Sequence, residues 1–210
     1  MSSHARQNHE AMIFKYDERA KRHLCERDPL LGQYITERGN IERAMKPDLF
    51  VSLTESIISQ QISGKAAESI SGRLLVQAGE ITPARIVSLP EDLMRQCGIS
   101  QRKISYIKAA AHAIMSGELV PDALRTMDDE SVIRQLVQLP GIGRWSAEMT
   151  LIFTLGREDV LSYGDFGIRR GIMRLHQLEA LSKADFMHFR ELYSPYGTIA
   201  SFYLWEIAAR

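Results

Sequence analysis

The sequence is poor in cysteine, has no excess charge of either sign and contains no long apolar run. Its 210 residues include two cysteines, Cys25 and Cys97, too few for a disulfide framework, a four-thiolate zinc site or an iron–sulfur cluster. The 26 basic and 26 acidic side chains give zero net charge, so binding to a nucleic acid would need local patches. No segment approaches the roughly 20 apolar residues of a membrane-spanning helix, and we expect no membrane partner.

Apolar residues recur at intervals of three and four along the chain, which indicates helices. Helix N-caps are predicted at Ser63, Thr82, Ser100, Asp128, Ser182 and Ser194, with Pro83 and Pro195 at first helical positions. Helix ends are predicted at Gly79, Gly98, Gly117 and Gly156. We therefore predict about ten helices with short connections. The one candidate for an extended segment is Val160 to Gly164.

The segment LVQLPGIGRWSAEMTLIFTLG, from Leu136 to Gly156, predicts two helices joined by a tight hairpin at PGIG. Glycines allow backbone angles that other residues avoid. Free N–H groups and the helix dipole at the start of the second helix would form a phosphate site. Arg144 could add a charge and Ser146 a hydroxyl donor. Phosphate contacts of this kind position a protein on DNA without reading sequence; a plain helix–turn–helix corner is the alternative.

Two further segments contain candidate functional residues. In LSYGDFGIRRGIMRLH, Asp165 stands at the turn into a helix, where an aspartate most often serves as an N-cap. A capping carboxylate also has a fixed position, which suits electrostatic catalysis. In SIISQQISGKAAESI, Gln60 and Gln61 interrupt an apolar helix end just before a helix capped by Ser63. They form either a polar helix junction or a polar plug at a DNA surface.

Together with GISQRKISYI and SPYGTIASFYLW, these segments resemble the helix–hairpin–helix DNA glycosylases, the superfamily that includes endonuclease III. Within it the chain is similar to the alkylpurine branch, 3-methyladenine DNA glycosylase II. The resemblance covers roughly residues 45–210. It implies an all-α, two-lobed fold with an interdomain cleft. Residues 47–156 would form a domain ending in the hairpin, and residues 11–46 plus 157–210 a second domain carrying the catalytic aspartate.

The resemblance implies a monofunctional enzyme of base excision repair that flips alkylated purines of the 3-methyladenine and 7-methylguanine type out of DNA and hydrolyses the N-glycosidic bond. Asp165 matches the family's catalytic aspartate. Trp145 stands where bifunctional members have a Schiff-base lysine, which implies no lyase activity. Gln61 matches the plug that fills the gap left by the flipped nucleotide.

The resemblance also implies sets of binding residues. The base pocket would comprise Trp145, Tyr163, Phe166 and Tyr196; the DNA-binding set would comprise Gln60, Gln61, Ser63, Lys65, Gly141, Gly143, Arg144 and Ser146. The carbonyls of Val137, Leu139 and Ile142 could hold Na⁺ or K⁺; no other cofactor is expected. We expect a monomer acting on damaged double-stranded DNA, cytoplasmic and nucleoid-associated in a bacterium or nuclear in a eukaryote.

Some positions depart from the family pattern. Ser162 stands where the family often has proline, and Gly197 where it often has arginine. Local basic patches that could meet DNA despite the zero net charge are Arg102, Lys103 and Lys108, then Arg144, then Arg169, Arg170 and Arg174. A non-catalytic DNA-binding module and a glycosylase for another lesion are the alternatives. Asp165 with its flanking glycines favours an enzyme.

Overall fold

The computed structural model describes residues 12–210, and these residues form thirteen helices. The helices are α1 (Glu18–Arg27), α2 (Pro29–Arg38), α3 (Leu49–Ser59), α4 (Gly64–Ala78), α5 (Pro83–Ser88), α6 (Glu91–Gln96), α7 (Gln101–Met115), α8 (Pro121–Leu124), α9 (Asp129–Leu136), α10 (Arg144–Phe153), α11 (Phe166–Leu175), α12 (Lys183–Tyr193) and α13 (Gly197–Ala209). The predicted all-α fold is confirmed. The prediction of about ten helices is too low, since the structure includes very short helices: α5, whose start at Thr82 and Pro83 is predicted, and α6 and α8, which span six and four residues.

The segment from Val160 to Gly164 is irregular and belongs to no strand. The described part of the chain contains one isolated β-bridge, between Ile13 and Ala44, and no other strand pairing. Residue 11, where the second predicted domain begins, lies outside that part. None of the helices formed by residues 12–210 is both long and apolar enough to cross a membrane.

Five of the six predicted N-caps begin helices. Their side chains accept hydrogen bonds from backbone amides of the first helical turn, and they are Ser63, Thr82, Ser100, Asp128 and Ser182. The sixth prediction, Ser194, is wrong: this residue ends α12. Its hydroxyl donates to Asp159 Oδ2 at 2.7 Å, and Asp159 Oδ1 accepts from the Gly197 amide at 3.0 Å. A carboxylate from a distant loop therefore caps α13 in place of Ser194, and Pro195 precedes the helix.

The helices pack in two groups that share one core. Helix α3 packs against α4, α7 and α10, and α13 packs against α1, α2, α11 and α12. The groups meet where Phe153 of α10 stacks on Trp205 of α13, with ring centroids 5.9 Å apart. Because the buried side chains form one continuous cluster, the division into domains at residues 47 and 156 remains a prediction.

Candidate active site

Asp165 is a buried carboxylate at the start of α11. It is 7% exposed, and its Oδ1 accepts a hydrogen bond from the Ile168 amide at 2.9 Å. Its backbone amide donates to the Ser162 carbonyl at 3.2 Å, which closes the turn before the helix. The aspartate is therefore an N-cap, as its position in the sequence suggests, and its backbone and side chain are both fixed.

Two tryptophans hold the same carboxylate from different helices. Trp145 Nε1, on α10, donates to Asp165 Oδ2 at 2.8 Å, and Trp205 Nε1, on α13, donates to Asp165 Oδ1 at 3.0 Å. The Ile168 amide is the third donor, and all three donors are neutral. A carboxylate offers about four acceptor positions, so roughly one remains for a water molecule or a substrate. The arrangement orients an anion without neutralising it by an ion pair.

A glycine makes room for the second indole. A Cβ on Gly167 would lie 2.9 Å from Trp205 Cδ1 and 3.1 Å from Asp165 Oδ1. Any side chain there would displace the tryptophan or the carboxylate that it binds. The glycine on the C-terminal side of Asp165 therefore has a steric function within the site.

Trp145 borders two cavities. The larger, of about 980 Å³, is lined by α3, α4 and α10, and includes Trp145, Met149 and Phe153. Thr54 also lines it; this residue is 2% exposed, and its hydroxyl lacks a hydrogen-bond partner among the described residues. The smaller cavity, of about 580 Å³, includes Trp145, Tyr163 and Gly164. The surface of the larger cavity is mostly apolar, as is typical of a small-molecule or base pocket, whereas charged residues form much of the wall of the smaller one.

The structure brings together only part of the predicted base pocket. Trp145 and Tyr163 line one cavity, whereas Phe166 is 65% exposed. Tyr196 packs instead on His23, with ring centroids 5.4 Å apart. The Tyr163 ring contacts Phe186, with ring centroids 5.1 Å apart, and the guanidinium of Arg169, 5.3 Å from the Tyr163 centroid.

Sequence reasoning missed Trp205, Met149 and Phe153. Trp145, Met149 and Phe153 follow one another at intervals of four along α10, and this spacing places them on one face. The spacing could have identified the two additional residues. Trp205 had no comparable signal, because α13 is buried on nearly every side and its sequence shows no preferred face.

The predicted hairpin lies between α9 and α10. Gly141 has a left-handed φ of 81°, and the buried Ile142 donates its amide to the Leu139 carbonyl at 3.1 Å. A Cβ on Gly141 would lie 2.2 Å from Tyr106 Cδ2. The Tyr106 ring, on α7, therefore occupies the space that a side chain at residue 141 would need. Gly143 precedes α10 and supplies no capping side chain, which leaves the first amides of the helix available for an anion.

Of the two side chains predicted to assist phosphate binding, Arg144 is bound to two glutamates and Ser146 is buried. The Arg144 guanidinium donates to Glu148 Oε1 at 3.0 Å and forms two bonds to Glu130. Glu130 holds the pKa of Arg144 above its usual range, and Arg144 lowers the pKa of Glu130. Ser146 is 5% exposed and lines the larger cavity. A phosphate would have to compete with Glu130 for Arg144.

The two glutamines lie at the turn between α3 and α4. Gln60 Nε2 donates to the Gly141 carbonyl at 2.7 Å, which joins this turn to the hairpin. Gln61 is exposed and has a left-handed φ of 59°. Ser63 caps α4 by accepting from the Ala66 amide at 3.3 Å, and Lys65 is exposed in its first turn.

Several of the predicted basic-patch residues do not project freely into solvent. Lys103 and Lys108 donate to carbonyl groups of neighbouring helix ends. Arg174 donates to the Ala208 carbonyl at 2.8 Å. Arg102 and Arg170 are exposed. The cations available to DNA are therefore fewer than the sequence indicates.

The carbonyls predicted to hold a monovalent cation lie at the hairpin. The Leu139 carbonyl accepts one hydrogen bond, from Ile142, and among residues 12–210 no hydrogen bond reaches the carbonyl of Val137 or Ile142. A carbonyl oxygen has two lone pairs, and rings of backbone carbonyls suit K⁺. The three residues therefore fit the ligand type, and the cation remains a proposal.

Comparison with known proteins gives consistent results. Residues 54–197 match the family described as HhH-GPD superfamily base excision DNA repair protein. The chain is 36% identical over 183 residues to DNA-3-methyladenine glycosylase 1 of Schizosaccharomyces pombe, a match that covers 84% of this chain and 78% of that protein.

Solved structures agree with that match. A DNA-3-methyladenine glycosidase from Bacillus halodurans has a TM-score of 0.83 at 35% identity, covering 94% of this chain and 92% of the other. The 3-methyladenine DNA glycosylase of Schizosaccharomyces pombe in complex with abasic DNA has a TM-score of 0.80 at 35% identity, covering 90% of this chain and 95% of the other.

Proposed function

This chain belongs to the HhH-GPD superfamily of base excision DNA repair proteins, and we propose that it is a monofunctional glycosylase that removes alkylated purines from double-stranded DNA. Similar proteins are named for 3-methyladenine, and one of them is in complex with abasic DNA, the product of such a reaction. The observation that carries the proposal is the buried Asp165 carboxylate held by Trp145 and Trp205.

Base release requires the nucleotide to leave the helix, because an enzyme cannot reach the glycosidic bond of a stacked base. Unstacking costs a few kcal/mol, and less for a weakly paired base. Gln61, exposed at the α3–α4 turn, would enter the gap and offer hydrogen bonds to the orphaned partner. The amides at the start of α10 would hold a nearby phosphate.

Alkylation of a purine ring nitrogen makes the base electron-poor and a good leaving group. An aromatic face attracts such a ring through stacking and cation–π attraction of roughly 0.5–2 kcal/mol. Trp145 is 42% exposed and borders both cavities, so its ring is available for this contact. Its indole N–H remains bonded to Asp165, and the base would therefore be held close to the carboxylate.

The remaining charge that the enzyme must stabilise develops on the sugar. As the base departs, C1′ gains oxocarbenium character, as in glycoside hydrolysis. A fixed carboxylate stabilises that positive charge and can orient the attacking water or accept its proton. Water adds to C1′, the electron pair of the C1′–N bond leaves with the base, and an abasic site remains. Asp165 has the neutral donors and the fixed orientation that this role needs.

Trp145 argues against lyase activity, because an indole nitrogen cannot form the Schiff base that strand cleavage requires. We propose that the enzyme stops at the abasic site. Na⁺ or K⁺ at the carbonyls of Val137, Leu139 and Ile142 would fix the hairpin for phosphate binding. Exchange of K⁺ for tetramethylammonium at constant ionic strength should then weaken DNA binding.

Incubation with DNA that contains 7-methylguanine tests the function. We expect free methylated base and abasic sites that break only on alkali treatment. Asp165→Asn should bind the DNA but release base at least about 100-fold more slowly, since electrostatic groups of this kind contribute several kcal/mol. Binding without release by the unmodified protein would instead support a non-catalytic module, and release from uracil DNA alone would support another lesion. Covalent trapping by borohydride would contradict the absence of lyase chemistry.

A further inference from the structure

The turn that carries Gln61 has a backbone conformation that glutamine disfavours. Gln60 has φ −56° and ψ 127°, and Gln61 has φ 59°. The Ile62 amide donates to the Ser59 carbonyl at 3.4 Å. This pattern matches a type II turn, in which glycine is preferred at the position of Gln61. Contacts from outside the turn must therefore hold the residue there.

Helix α7 supplies the first of these contacts. Lys103 Nζ donates to the Ile58 carbonyl at 2.7 Å and to the Gln60 carbonyl at 2.8 Å. The lysine thus binds the end of α3 and the first central residue of the turn together. Burial lowers the pKa of the Lys103 ammonium, and the neighbouring Arg102 adds to that effect. The charged Lys103 side chain therefore fixes the backbone next to Gln61, although Lys103 and Gln60 are 43 residues apart in the sequence.

The same face of α7 also contacts the hairpin. Tyr106, one helical turn after Lys103, fills the space above Gly141. The Gly141 carbonyl in turn accepts from Gln60 Nε2 at 2.7 Å. Residues three apart on a helix lie on one face. One face of α7 therefore holds both the glutamine turn and the phosphate hairpin, and Gln60 joins the two directly.

We propose that Lys103 is a positioning residue for nucleotide flipping, which sets Gln61 at a fixed distance from the phosphate-binding hairpin. This inference rests on the proposed function. With that distance fixed, binding of a phosphate at the hairpin carries Gln61 into the base stack. If the turn were loose, part of the binding energy would be lost in ordering it before the base could leave.

Lys108 provides a matched control on the same helix. Lys108 is half-buried, like Lys103, and its ammonium donates to the Val87 and Leu89 carbonyls at 3.3 and 3.0 Å. Lys103→Met and Lys108→Met therefore remove the same kind of interaction from two different helix ends. Only the first of these ends leads to Gln61.

The experiment measures single-turnover release of 7-methylguanine from two duplexes, one with cytosine opposite the lesion and one with an abasic site opposite it. We expect Lys103→Met to slow release from the paired lesion at least about tenfold, because the substitution removes both hydrogen bonds from the charged ammonium to the turn. On the unpaired lesion the release rate should fall less than about threefold, because an unpaired base costs less free energy to flip out of the duplex. Lys108→Met should stay within about twofold of the unmodified protein on both duplexes.

Two further variants keep the inference testable if Lys103→Met folds poorly. Lys103→Arg retains a cation with several donors and should recover most of the rate. Gln60→Ala removes the side chain that joins the turn to the hairpin and should show the same dependence on pairing. In a Gln61→Ala background, Lys103→Met should add less than about a twofold loss, because coupled residues are not additive.

Three results would overturn the inference. The first is that Lys103→Met slows release equally on the two duplexes, and the second is that Lys108→Met slows it as much as Lys103→Met. The third is that the rate losses of Lys103→Met and Gln61→Ala are additive. These outcomes differ from failure of the proposed function, which would appear as no release of methylated base by the unmodified protein from either duplex.

Discussion

At the scale of single residues, the Asp165 carboxylate depends on partners from three parts of the chain. Trp145 precedes it by 20 residues, Trp205 follows it by 40, and Ile168 lies in its own helix. A side chain held by three bonds has little freedom to reorient as charge develops on the substrate. Such preorganisation is the main source of electrostatic catalysis, so removal of one donor should reduce the rate without abolishing it.

Trp205→Phe tests this dependence. The phenyl ring can still stack on Phe153, but the hydrogen bond to Asp165 Oδ1 is lost. Loss of a hydrogen bond to a charged group costs about 1.5–3 kcal/mol, so the single-turnover rate of base release should fall roughly 10- to 100-fold. In an Asp165→Asn background the same change should have little further effect. A full additional loss in that background would show that Trp205 acts through packing alone.

The local pattern predicts Asp165 as an N-cap, and its catalytic role and the special position of Trp145 are implied by the family resemblance; the structure joins the two side chains by a hydrogen bond. The contact between Trp205 and Asp165 was inaccessible, since it depends on how α11 meets α13. The same limit applies to Lys103 and Lys108, which look like exposed cations in sequence. Their carbonyl partners lie 19 to 45 residues away, and the side-chain stems are long enough to cover apolar surface on the way.

At the scale of elements, the contact between α11 and α13 brings Asp165, the N-cap of α11, to Trp205. The two helices approach so closely that a Cβ on Gly171 would lie 2.3 Å from the Leu204 carbonyl oxygen. The obstacle is backbone, so no side-chain rotation could relieve it. Gly171 is thus required by helix packing, whereas a Cβ on Gly72, inside α4, would have no neighbour within 4 Å outside its own helix backbone.

Alanine at these two helical glycines should have opposite effects. Gly171→Ala forces α11 and α13 apart and should lower the free energy of unfolding by about 2 kcal/mol or more, in the range of overpacked cores. Gly72→Ala should raise it by about 0.5–1 kcal/mol, since alanine loses less backbone entropy. Urea denaturation measures both. Equal stabilities for the two variants would contradict the close approach of the helices.

Helix starts were the elements best predicted from sequence, because an N-cap bond joins residues two or three apart. Ser63, Asp128 and Ser182 needed no tertiary information. Ser194 failed for the opposite reason, since its hydroxyl binds Asp159, a residue 35 positions away. The start of the short helix α5 is also predicted, from Thr82 and Pro83. Helices α6 and α8 have no N-cap side-chain bond and too few residues to display a helical period.

At the scale of the whole molecule, buried tyrosines join the N-terminal helices to the C-terminal ones. The Tyr193 hydroxyl donates to Asp28 Oδ2 at 2.7 Å, and the Tyr203 hydroxyl donates to the Gly39 carbonyl at 3.0 Å. Burial raises the pKa of both tyrosines well above the ordinary value, and the Asp28 carboxylate adds to the shift of Tyr193. Both phenols therefore stay protonated in the folded protein where the unfolded chain would ionise.

The sign of this effect predicts alkaline unfolding. Below pH about 10 the contribution of each tyrosine to stability is complete. Above it the unfolded state loses protons that the folded state keeps, so stability falls by up to about 1.4 kcal/mol per pH unit for each tyrosine. Urea denaturation at pH 8 and pH 11 should show this loss. Tyr193→Phe should be less stable at pH 8 yet lose less on alkalinisation; an unchanged pH slope would exclude Tyr193 as a source.

Zero net charge predicts that DNA contact must be local, but it cannot tell which cations are free. The structure answers this for Arg144, at the start of α10, where two glutamates compete with any phosphate. The pair with Glu130 is exposed on both sides, with side-chain exposures of 58% and 56%. Exposed pairs contribute about 0–1 kcal/mol, so a phosphate held at the hairpin can displace Glu130.

Glu130→Gln should therefore strengthen DNA binding. The substitution frees the Arg144 guanidinium and removes a negative charge beside the predicted phosphate site, so affinity at low salt should rise severalfold. If Arg144 then gains a phosphate contact, the slope of log affinity against log salt should steepen by about 0.9. Glu37→Gln, on α2, makes the same change in net charge away from the hairpin and should leave the slope unchanged. Arg144→Met should cancel the gain, because the glutamate acts through this arginine; a gain that survives in the double variant would mean that Glu130 repels DNA directly.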